Sequence, residues 1–244
     1  MTNAMRLGAM AVFCCSAMAP ELFMSDTTSS ATADPKKEKA ACALTFDDGP
    51  GNFTEQLLDL LKEKRIVATF FVVGEQVTRR PQTVRRIAAE GHEVDNHSFD
   101  HPDLKHLSYS RQLAEIARTD RALRELGIVP KYFRPPYGSY NASTVRAAAE
   151  DKLVLVLWTD DALDWKYHSL RALETQLERG LQEKVGGIYL FHDLHRWTVE
   201  NMPDILVDLA THGCRFVTLA EYMGRPVATD EPPASADREN ANPD

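Results

Sequence analysis

The sequence has no cluster of basic residues and no apolar run long enough to cross a membrane as a helix. Its 244 residues include 28 Lys and Arg against 36 Asp and Glu, which gives a formal net charge of -8. Basic side chains occur in short groups such as Arg79-Arg80, whereas nucleic acids and anionic membranes are bound by extended basic patches. The composition therefore argues against both kinds of partner and favours a neutral or cationic substrate.

One uncharged stretch, residues 7–19, has the length of a secretory signal and is too short to span a bilayer. We therefore expect export, with residues 1–24 forming a signal peptide or an apolar N-terminal segment. Residues 17–19, Ala-Met-Ala, resemble a signal-peptidase site. A lipid anchor on Cys14 or Cys15 is the alternative.

Cysteine is scarce, and outside the exported segment only Cys42 and Cys214 remain. Two cysteines are too few for a disulfide framework. Both begin predicted strands, one at each end of the folded part, and these strands are neighbours if the sheet closes on itself. A bridge is then feasible in an oxidising compartment, but buried free thiols are also common, so the sequence leaves the pairing open.

Two polar segments flank the folded part of the chain. Residues 25–40 are rich in Ser, Thr, Asp and Lys and predict a linker, and residues 227–244 have the composition of a disordered tail. Between them, residues 41–226 predict one domain without an internal repeat. Hydrophobic residues make up 43% of the chain, which is enough for a sizeable core.

Short β-branched or aromatic runs alternate with helix-length amphipathic segments inside this domain. The predicted strands are residues 41–46, 68–73, 92–94, 132–134, 153–158, 187–191 and 215–218. The predicted helices are residues 53–65, 82–90, 108–126, 141–151, 169–181 and 198–212. This alternation predicts an α/β fold, a distorted (β/α)7-type barrel of parallel strands with outer helices; a doubly wound open sheet is the alternative.

Polar clusters follow the carboxyl ends of five of these predicted strands. In chain order they are Asp47 and Asp48, His97, Arg134, Asp161 and Asp164, and His192. In parallel β/α barrels the active site is built at that rim. We therefore expect these side chains to lie together, because chance would scatter them over both ends of the barrel.

Two motifs supply a candidate metal site. Taken alone, Asp47-Asp48-Gly49-Pro50 is typical of a turn that ends a strand. His97 and His101 are four residues apart, but Pro102 biases His101 away from helical geometry, so the two need not share a helix face. One carboxylate and two histidines leave a coordination position open, as in catalytic zinc sites. The second carboxylate can then act as general base, which predicts hydrolysis.

Five segments occur in order along the domain: Thr45-Phe46-Asp47-Asp48-Gly49-Pro50, His97-Ser98-x-x-His101, Arg134-Pro135-Pro136-Tyr137-Gly138, Asp161-x-x-Asp164-Trp165 and Leu190-x-His192. Together they resemble the polysaccharide deacetylase family, the carbohydrate esterases of family 4 built on the NodB homology domain. The resemblance covers residues 41–222, which is nearly the whole predicted domain.

The resemblance implies that Asp48, His97 and His101 hold one divalent metal, usually zinc and in some members cobalt or nickel. It also implies that Asp47 is the catalytic base. Vicinal side chains on an extended strand point to opposite sides, so the two carboxylates need the Gly49-Pro50 turn to converge.

Further roles follow from the same resemblance. Arg134 would pair with Asp47 and keep that base ionised and oriented. Tyr137 would contact the substrate and donate its backbone N–H to the developing oxyanion. Ser98 would hold the histidine loop, and a backbone carbonyl or a carboxylate would fix each imidazole tautomer.

His192 matches the general acid of the family, which amide hydrolysis needs because an amine leaves poorly unless it is protonated. Asp164 would raise the pKa of His192 and keep the ring charged at neutral pH. Trp165 and Leu190 would form the walls of the pocket for the acetyl methyl group, with Pro135 also on the substrate side.

The implied activity is removal of N-acetyl groups from N-acetylglucosamine residues of peptidoglycan, a chitin-like polymer or an exopolysaccharide. Three alternatives share the same residues: an esterase acting on O-acetyl groups of xylan-like glycans, an amidase acting on a non-glycan amide, and an inactive glycan-binding module. We expect a monomer that binds an N-acetylated glycan, with no nucleic-acid partner and no membrane span.

Overall fold

Parallel strands and helices alternate along the residues that the computed structural model describes, 39–183 and 185–224. These residues belong to one compact unit. The predicted signal segment, nearly all of the predicted linker and the predicted tail lie outside the described residues, as do Cys14 and Cys15. Within the described ranges, no helix has both the length and the apolar character needed to cross a bilayer.

Eight parallel strands form one curled sheet. They are β1 Ala40–Asp47, β2 Thr69–Val72, β3 Glu93–Asn96, β4 Tyr132–Phe133, β5 Val154–Leu155, β6 Asp160–Asp161, β7 Gly187–His192 and β8 Cys214–Val217. The strand order is β5-β4-β3-β2-β1-β7-β6, and β8 also pairs with β1. β7 pairs along one edge of β1, while β8 and β2 share the other edge in succession. The end strands β5 and β6 are not paired with each other in the described part, so the barrel is open.

Helices cover the outside of this sheet. They are α1 Thr54–Lys64, α2 Gly74–Arg79, α3 Pro81–Ala89, α4 Tyr109–Glu125, α5 Ala142–Glu150, α6 Leu170–Glu183, α7 Arg196–Thr211 and α8 Leu219–Met223. Local chemistry starts several of them: Pro81 occupies the first turn of α3, and Asn141 forms a capping box at α5. Short 3-10 turns at Leu104–His106 and Pro136–Gly138 interrupt the connections after β3 and β4.

The α/β prediction is confirmed, and the sequential strand order differs from that of a doubly wound sheet. Three elements escaped prediction: β6, α2 and α8. β6 consists of two aspartates, which have low strand propensity and form a strand only because they pair with Tyr189 and Leu190 of β7. α2 has 6 residues and α8 has 5, too few for a helical period to be recognised.

Alternation along β1 and β7 divides the core into two layers. Leu44 and Phe46 belong to a large cluster with the leucines of α1 and the apolar face of α7, whereas Ala43 packs in a second cluster with Ile188. Each fully buried Leu or Phe contributes about 1.5–3 kcal/mol. Since side chains of a strand alternate between faces, Asp47 shares the inner face with Ala43, and His192 shares it with Ile188.

Cys42 of β1 and Cys214 of β8 form a disulfide, with Cα atoms 5.5 Å apart. The two cysteines meet because β8 returns to pair with the first half of β1, with Ala40 opposite Cys214. The pairing that the sequence left open is thus formed in the structure. It joins the two ends of the described domain, 172 residues apart in sequence.

Candidate active site

The turn after β1 brings the two vicinal carboxylates together. Asp47 ends the strand on its inner face, and Asp48 adopts a left-handed backbone conformation with φ of 72°. That conformation is costly for a residue other than glycine, so it has to be held by its surroundings. The carbonyl of Gly49 accepts a hydrogen bond of 3.0 Å from the amide of Val73 at the end of β2. The reversal of backbone direction at Asp48 supplies the convergence that the sequence requires of this turn.

The loop after β3 carries both histidines. His97 Nδ1–H donates to the carbonyl of Arg134 at 2.7 Å, so the Nε2 of a neutral ring carries a free lone pair. The predicted backbone carbonyl partner for His97 is therefore present. His101 lies in the left-handed region with φ of 56°, as does Ser98 with φ of 63°.

Asp48, His97 and His101 converge on one point. Asp48 Oδ1 lies 3.2 Å from His97 Nε2 and 3.0 Å from His101 Nε2. This oxygen is buried and has no hydrogen-bond partner among the described residues. The three ligand atoms lie within 4.8 Å of one another, the only such group in the described part of the chain. A carboxylate oxygen facing an imidazole lone pair needs a cation between them, so these residues fit a divalent metal.

Residues that the sequence reasoning missed hold the histidine loop. The Glu115 carboxylate of α4 accepts from the amides of Phe99 at 3.1 Å and Asp100 at 2.8 Å. Asn96 accepts from the amide of Ser98 at 2.9 Å and donates to Ile116 O at 2.9 Å. Except for the Asn96–Ser98 contact, these hydrogen bonds join residues 15 to 20 positions apart on separate elements, so no local pattern indicates them.

Two amides of α2 add to this support, since Gly74 N and Glu75 N donate to Ser98 O and Phe99 O. They are N-terminal helix amides that have no partner inside the helix. The hydroxyl of Ser98, by contrast, is buried without a hydrogen-bond partner. Ser98 is therefore held by its backbone, whose amide donates to Asn96 Oδ1 and whose carbonyl accepts from Gly74 N.

Asp47 and Arg134 form a buried ion pair beside the three-ligand group. Arg134 Nη1 donates to Asp47 Oδ1 at 2.8 Å and to Thr45 Oγ1 at 2.7 Å, and Nη2 donates to Leu157 O at 3.0 Å. The guanidinium lies 4.1 Å from the centre of the Phe71 ring. With its fork filled on several sides, Arg134 fixes one oxygen of Asp47 and leaves the other, Oδ2, 3.8 Å from His97 Nε2.

His192 and Asp164 form a second pair next to the same ligand group. His192 Nδ1 bonds Asp164 Oδ1 at 2.7 Å, and Asp164 Oδ2 accepts from the His192 amide at 2.7 Å and from Thr198 Oγ1 at 2.8 Å. Burial opposes a charge on His192, but the Asp164 carboxylate raises its pKa to about 9, so the ring is protonated at neutral pH. His192 Nε2 lies 4.0 Å from Asp48 Oδ2.

Four predicted substrate-side residues lie at the same rim or just beneath it. Tyr137 is 68% exposed, has a left-handed φ of 60°, and meets the His101 ring edge-on with centroids 4.7 Å apart. Trp165 follows Asp164 and is 52% exposed. Leu190 is buried on the same strand face as His192, and Pro135 is buried as well. Two of the four are thus exposed and two are buried.

Comparison with known proteins identifies the family of the chain. The family model described as polysaccharide deacetylase matches residues 34–156. The peptidoglycan-N-acetylglucosamine deacetylase PgdA of Listeria monocytogenes is 37% identical over 190 residues, covering 77% of this chain and 40% of the relative. The chitin deacetylase of Colletotrichum lindemuthianum is 35% identical over 195 residues, covering 75% of this chain and 79% of the relative. The chain therefore belongs to the polysaccharide deacetylase family.

Solved structures share the fold. A family 4 carbohydrate esterase from Streptomyces lividans, in complex with acetate, superposes with a TM-score of 0.70 at 34% identity, covering 78% of this chain and 98% of that one. A family 4 pseudoenzyme from Bacillus anthracis superposes with a TM-score of 0.69 at 28% identity, covering 75% and 65%. Similar folds therefore occur in an esterase and in a pseudoenzyme, so the activity depends on the residues of the site.

Proposed function

We propose that this chain is a metal-dependent polysaccharide N-deacetylase that removes acetyl groups from N-acetylglucosamine residues and releases acetate. One observation carries the proposal: a carboxylate with a cationic partner and an imidazole with an anionic partner flank a single three-ligand group. Asp47 Oδ2 is 3.8 Å from one ligand atom, and His192 Nε2 is 4.0 Å from the carboxylate ligand. Hydrolysis of an amide requires a base and an acid close to the same electrophile.

Asp48, His97 and His101 would hold one divalent metal. We propose zinc, because two histidines and one carboxylate with an open position are a common ligand set for catalytic zinc; cobalt or nickel would fit the same ligands. When bound, the metal supplies Lewis-acid chemistry that activates a water and polarises the acetyl carbonyl.

Asp47 acts as general base and accepts a proton from the attacking water through Oδ2. Its other oxygen is held by Arg134 at 2.8 Å, which orients the carboxylate toward the ligand group. Because an arginine stays charged at physiological pH, its hydrogen bond to Oδ1 is retained in that range.

His192 acts as general acid and transfers its Nε2 proton to the amine nitrogen as the C–N bond breaks. Asp164 holds Nδ1, which leaves Nε2 as the atom directed toward the ligand group. The backbone N–H of Tyr137 donates to the oxyanion, a contribution of about 3–4 kcal/mol to transition-state stabilisation. A pKa of about 9 supports an amide substrate, since the acid remains protonated at neutral pH.

The acetyl methyl group would pack against Trp165 and Leu190, with Pro135 in the floor of the same pocket. Peptidoglycan is the polymer that we propose first, because the relatives named for a substrate include peptidoglycan-N-acetylglucosamine deacetylases. The chain spans about 40% of the length of the first of these relatives, so a chitin-like polymer remains the second candidate.

Export is part of this proposal. Residues 1–24 would form the signal segment, 25–40 the linker, 41–226 the catalytic domain and 227–244 the tail. The Cys42–Cys214 disulfide supports it, because such bonds form and persist in oxidising compartments. N-terminal sequencing of the protein recovered from a secreting host tests the cleavage.

Acetate release tests the activity. The zinc-loaded chain, its metal-free form and the Asp47→Asn variant are incubated with chitin oligomers, peptidoglycan and acetylxylan. We expect zinc-dependent acetate from an N-acetylated glycan and far less from the variant. Wild-type rates in Asp47→Asn would contradict the assigned base, and release from acetylxylan alone would replace N-deacetylation by ester hydrolysis.

A further inference from the structure

A second buried acid lies beside the site and has no part in the proposed mechanism. Asp193 follows His192, whose Cα partner across the sheet is Asp47, so it lies next to the turn that carries Asp48. Its side chain is fully buried. Asp193 Oδ1 has no hydrogen-bond partner, and no lysine or arginine of the described residues pairs with the carboxylate.

Asp193 contacts the turn that follows β1, residues 48–51. Its Oδ2 accepts a hydrogen bond of 2.5 Å from Thr54 Oγ1, and the same hydroxyl accepts from the amide of Gly51 at 2.7 Å. The carboxylate also packs directly on Gly49, where an added Cβ would lie 2.4 Å from both oxygens. Asp193 thus contacts the turn at Gly49 and, through Thr54, at Gly51.

This turn needs such support. Asp48 holds a left-handed φ of 72°, which persists in a residue with a side chain only where the surroundings over-determine it. Val73 N fixes the carbonyl of Gly49 from the β2 side. On the other side, Asp193 packs on Gly49, Thr54 of α1 accepts from the amide of Gly51, and Leu194 packs on Gly51. The turn is therefore held on both flanks of β1, and the second flank is the strand that carries His192.

A role in stability alone does not account for this acid. Burial raises the pKa of Asp193 to about 7, although the Thr54 hydrogen bond opposes the shift. A carboxylate with one unpartnered oxygen destabilises the interior, and an apolar side chain would avoid that cost. What an apolar side chain cannot do is accept from Thr54.

We propose that Asp193 is a positioning residue that holds the metal ligand Asp48 in place through Thr54 and Gly51. The inference rests on the proposed function only in taking Asp48 as a ligand. Asp193 acts only by positioning. Its Oδ2 accepts from the Thr54 hydroxyl and orients it, and that hydroxyl accepts from the amide of Gly51.

Zinc affinity of the full chain, measured by competition with a chromophoric chelator, tests this without any substrate. We expect Asp193→Ala and Thr54→Val to weaken zinc binding about 10- to 100-fold, the usual effect of removing residues that orient ligands. Thr54→Ser and Asp193→Asn keep the hydroxyl and the acceptor and should stay within about threefold of wild type. Asp120→Ala on α4 removes another buried carboxylate outside the site and serves as the matched control.

A mutant cycle separates positioning from general loss of structure. Gly49→Ala introduces a methyl group against the Asp193 carboxylate, so it should weaken zinc binding in the wild type but add little in the Asp193→Ala background. Far-UV circular dichroism of the metal-free proteins checks that each variant folds, and Thr54→Val, a near-isosteric change, carries the test if Asp193→Ala does not.

Two results would overturn the inference: wild-type affinity in Thr54→Val, or equal losses in Thr54→Ser and Thr54→Val. If the wild-type chain itself bound no zinc, cobalt or nickel, the proposed function would fail as well, so the two failures are distinguishable.

Discussion

The two buried ion pairs of the site hold their catalytic groups in different ways. On the β1 side, the proposed base Asp47 is paired with a fully buried arginine, and on the β7 side the proposed acid His192 is paired with a fully buried aspartate. The arginine cannot lose its charge at physiological pH, whereas the imidazole can. Arg134 therefore fixes the orientation of the base Asp47, whereas Asp164 adjusts the proton affinity of the acid His192.

The two pairs also differ in their exposure to solvent. Both members of the Asp47–Arg134 pair are shielded from solvent, while the His192 side chain keeps 13% of its surface exposed. An acid must be re-protonated after each turnover, so contact with water is useful there. Four predictions, in order of decreasing expected effect, test this division.

Removing a ligand between the two sides should have the largest effect. His101→Ala is expected to lose zinc and turnover together, because the three ligand atoms act as one group. Metal content by atomic emission and acetate release measure the two losses. His106→Ala, an exposed histidine in the following turn, is the control, and full zinc occupancy in His101→Ala would contradict the ligand assignment.

Removing the base should abolish chemistry and spare the metal. We expect Asp47→Asn to lower kcat by about 10²- to 10⁴-fold, the range of a lost general base, with zinc content unchanged. A parallel loss of zinc would mean that Asp47 is a ligand and not the base.

Breaking the pair on the base side should cost stability. Arg134→Met leaves Asp47 buried without its partner, and we expect the free energy of unfolding to fall by about 3–5 kcal/mol. Urea unfolding of the metal-free protein measures it. Arg215→Met breaks an exposed pair with Glu221 and should change stability by less than about 1 kcal/mol; similar losses in both variants would remove the distinction.

Breaking the pair on the acid side should shift a pH profile. In the folded protein the pKa of His192 is raised to about 9 from 6.5, so the stabilisation by Asp164 is fully present below pH 6.5 and is lost as the pH rises through 9. Activity should follow the protonated ring and decline on the alkaline side near pH 9.

The variant Asp164→Asn should move that alkaline limb of kcat/KM toward pH 6.5, because the carboxylate that raises the pKa is gone. Initial rates from pH 5 to 10 measure the shift. An unchanged limb in this variant would assign the titration to a group other than His192.

Much of the site could be predicted from the sequence because its residues lie at the carboxyl ends of predicted strands. Asp47, Asp48, His97, Arg134 and His192 each end or follow a predicted strand, and parallel strands bring their carboxyl ends to one edge. Elements with a clear period were predicted well, such as α1 with its leucine stripe. β6 was not, because two aspartates become a strand only by pairing with β7.

Residues that support the site through hydrogen bonds to sequence-distant partners could not be predicted. Glu115 receives two amides from the histidine loop, and Asp193 reaches Thr54 across 139 positions of sequence. Neither belongs to a pattern with its partner, since hydrogen bonds between elements depend on packing. The disulfide is of the same kind, because it required β8 to lie against β1.

The sequence by itself determined the α/β alternation, the rim on which polar residues collect and the chemical types in the site. These follow from periodicity and from the ends of strands, which are local properties. The tertiary structure alone decided the left-handed turn at Asp48, the two amides that Glu115 accepts and the contact of Asp193 with Thr54. Each of these depends on burial and on distances between separate elements, which a linear pattern does not contain.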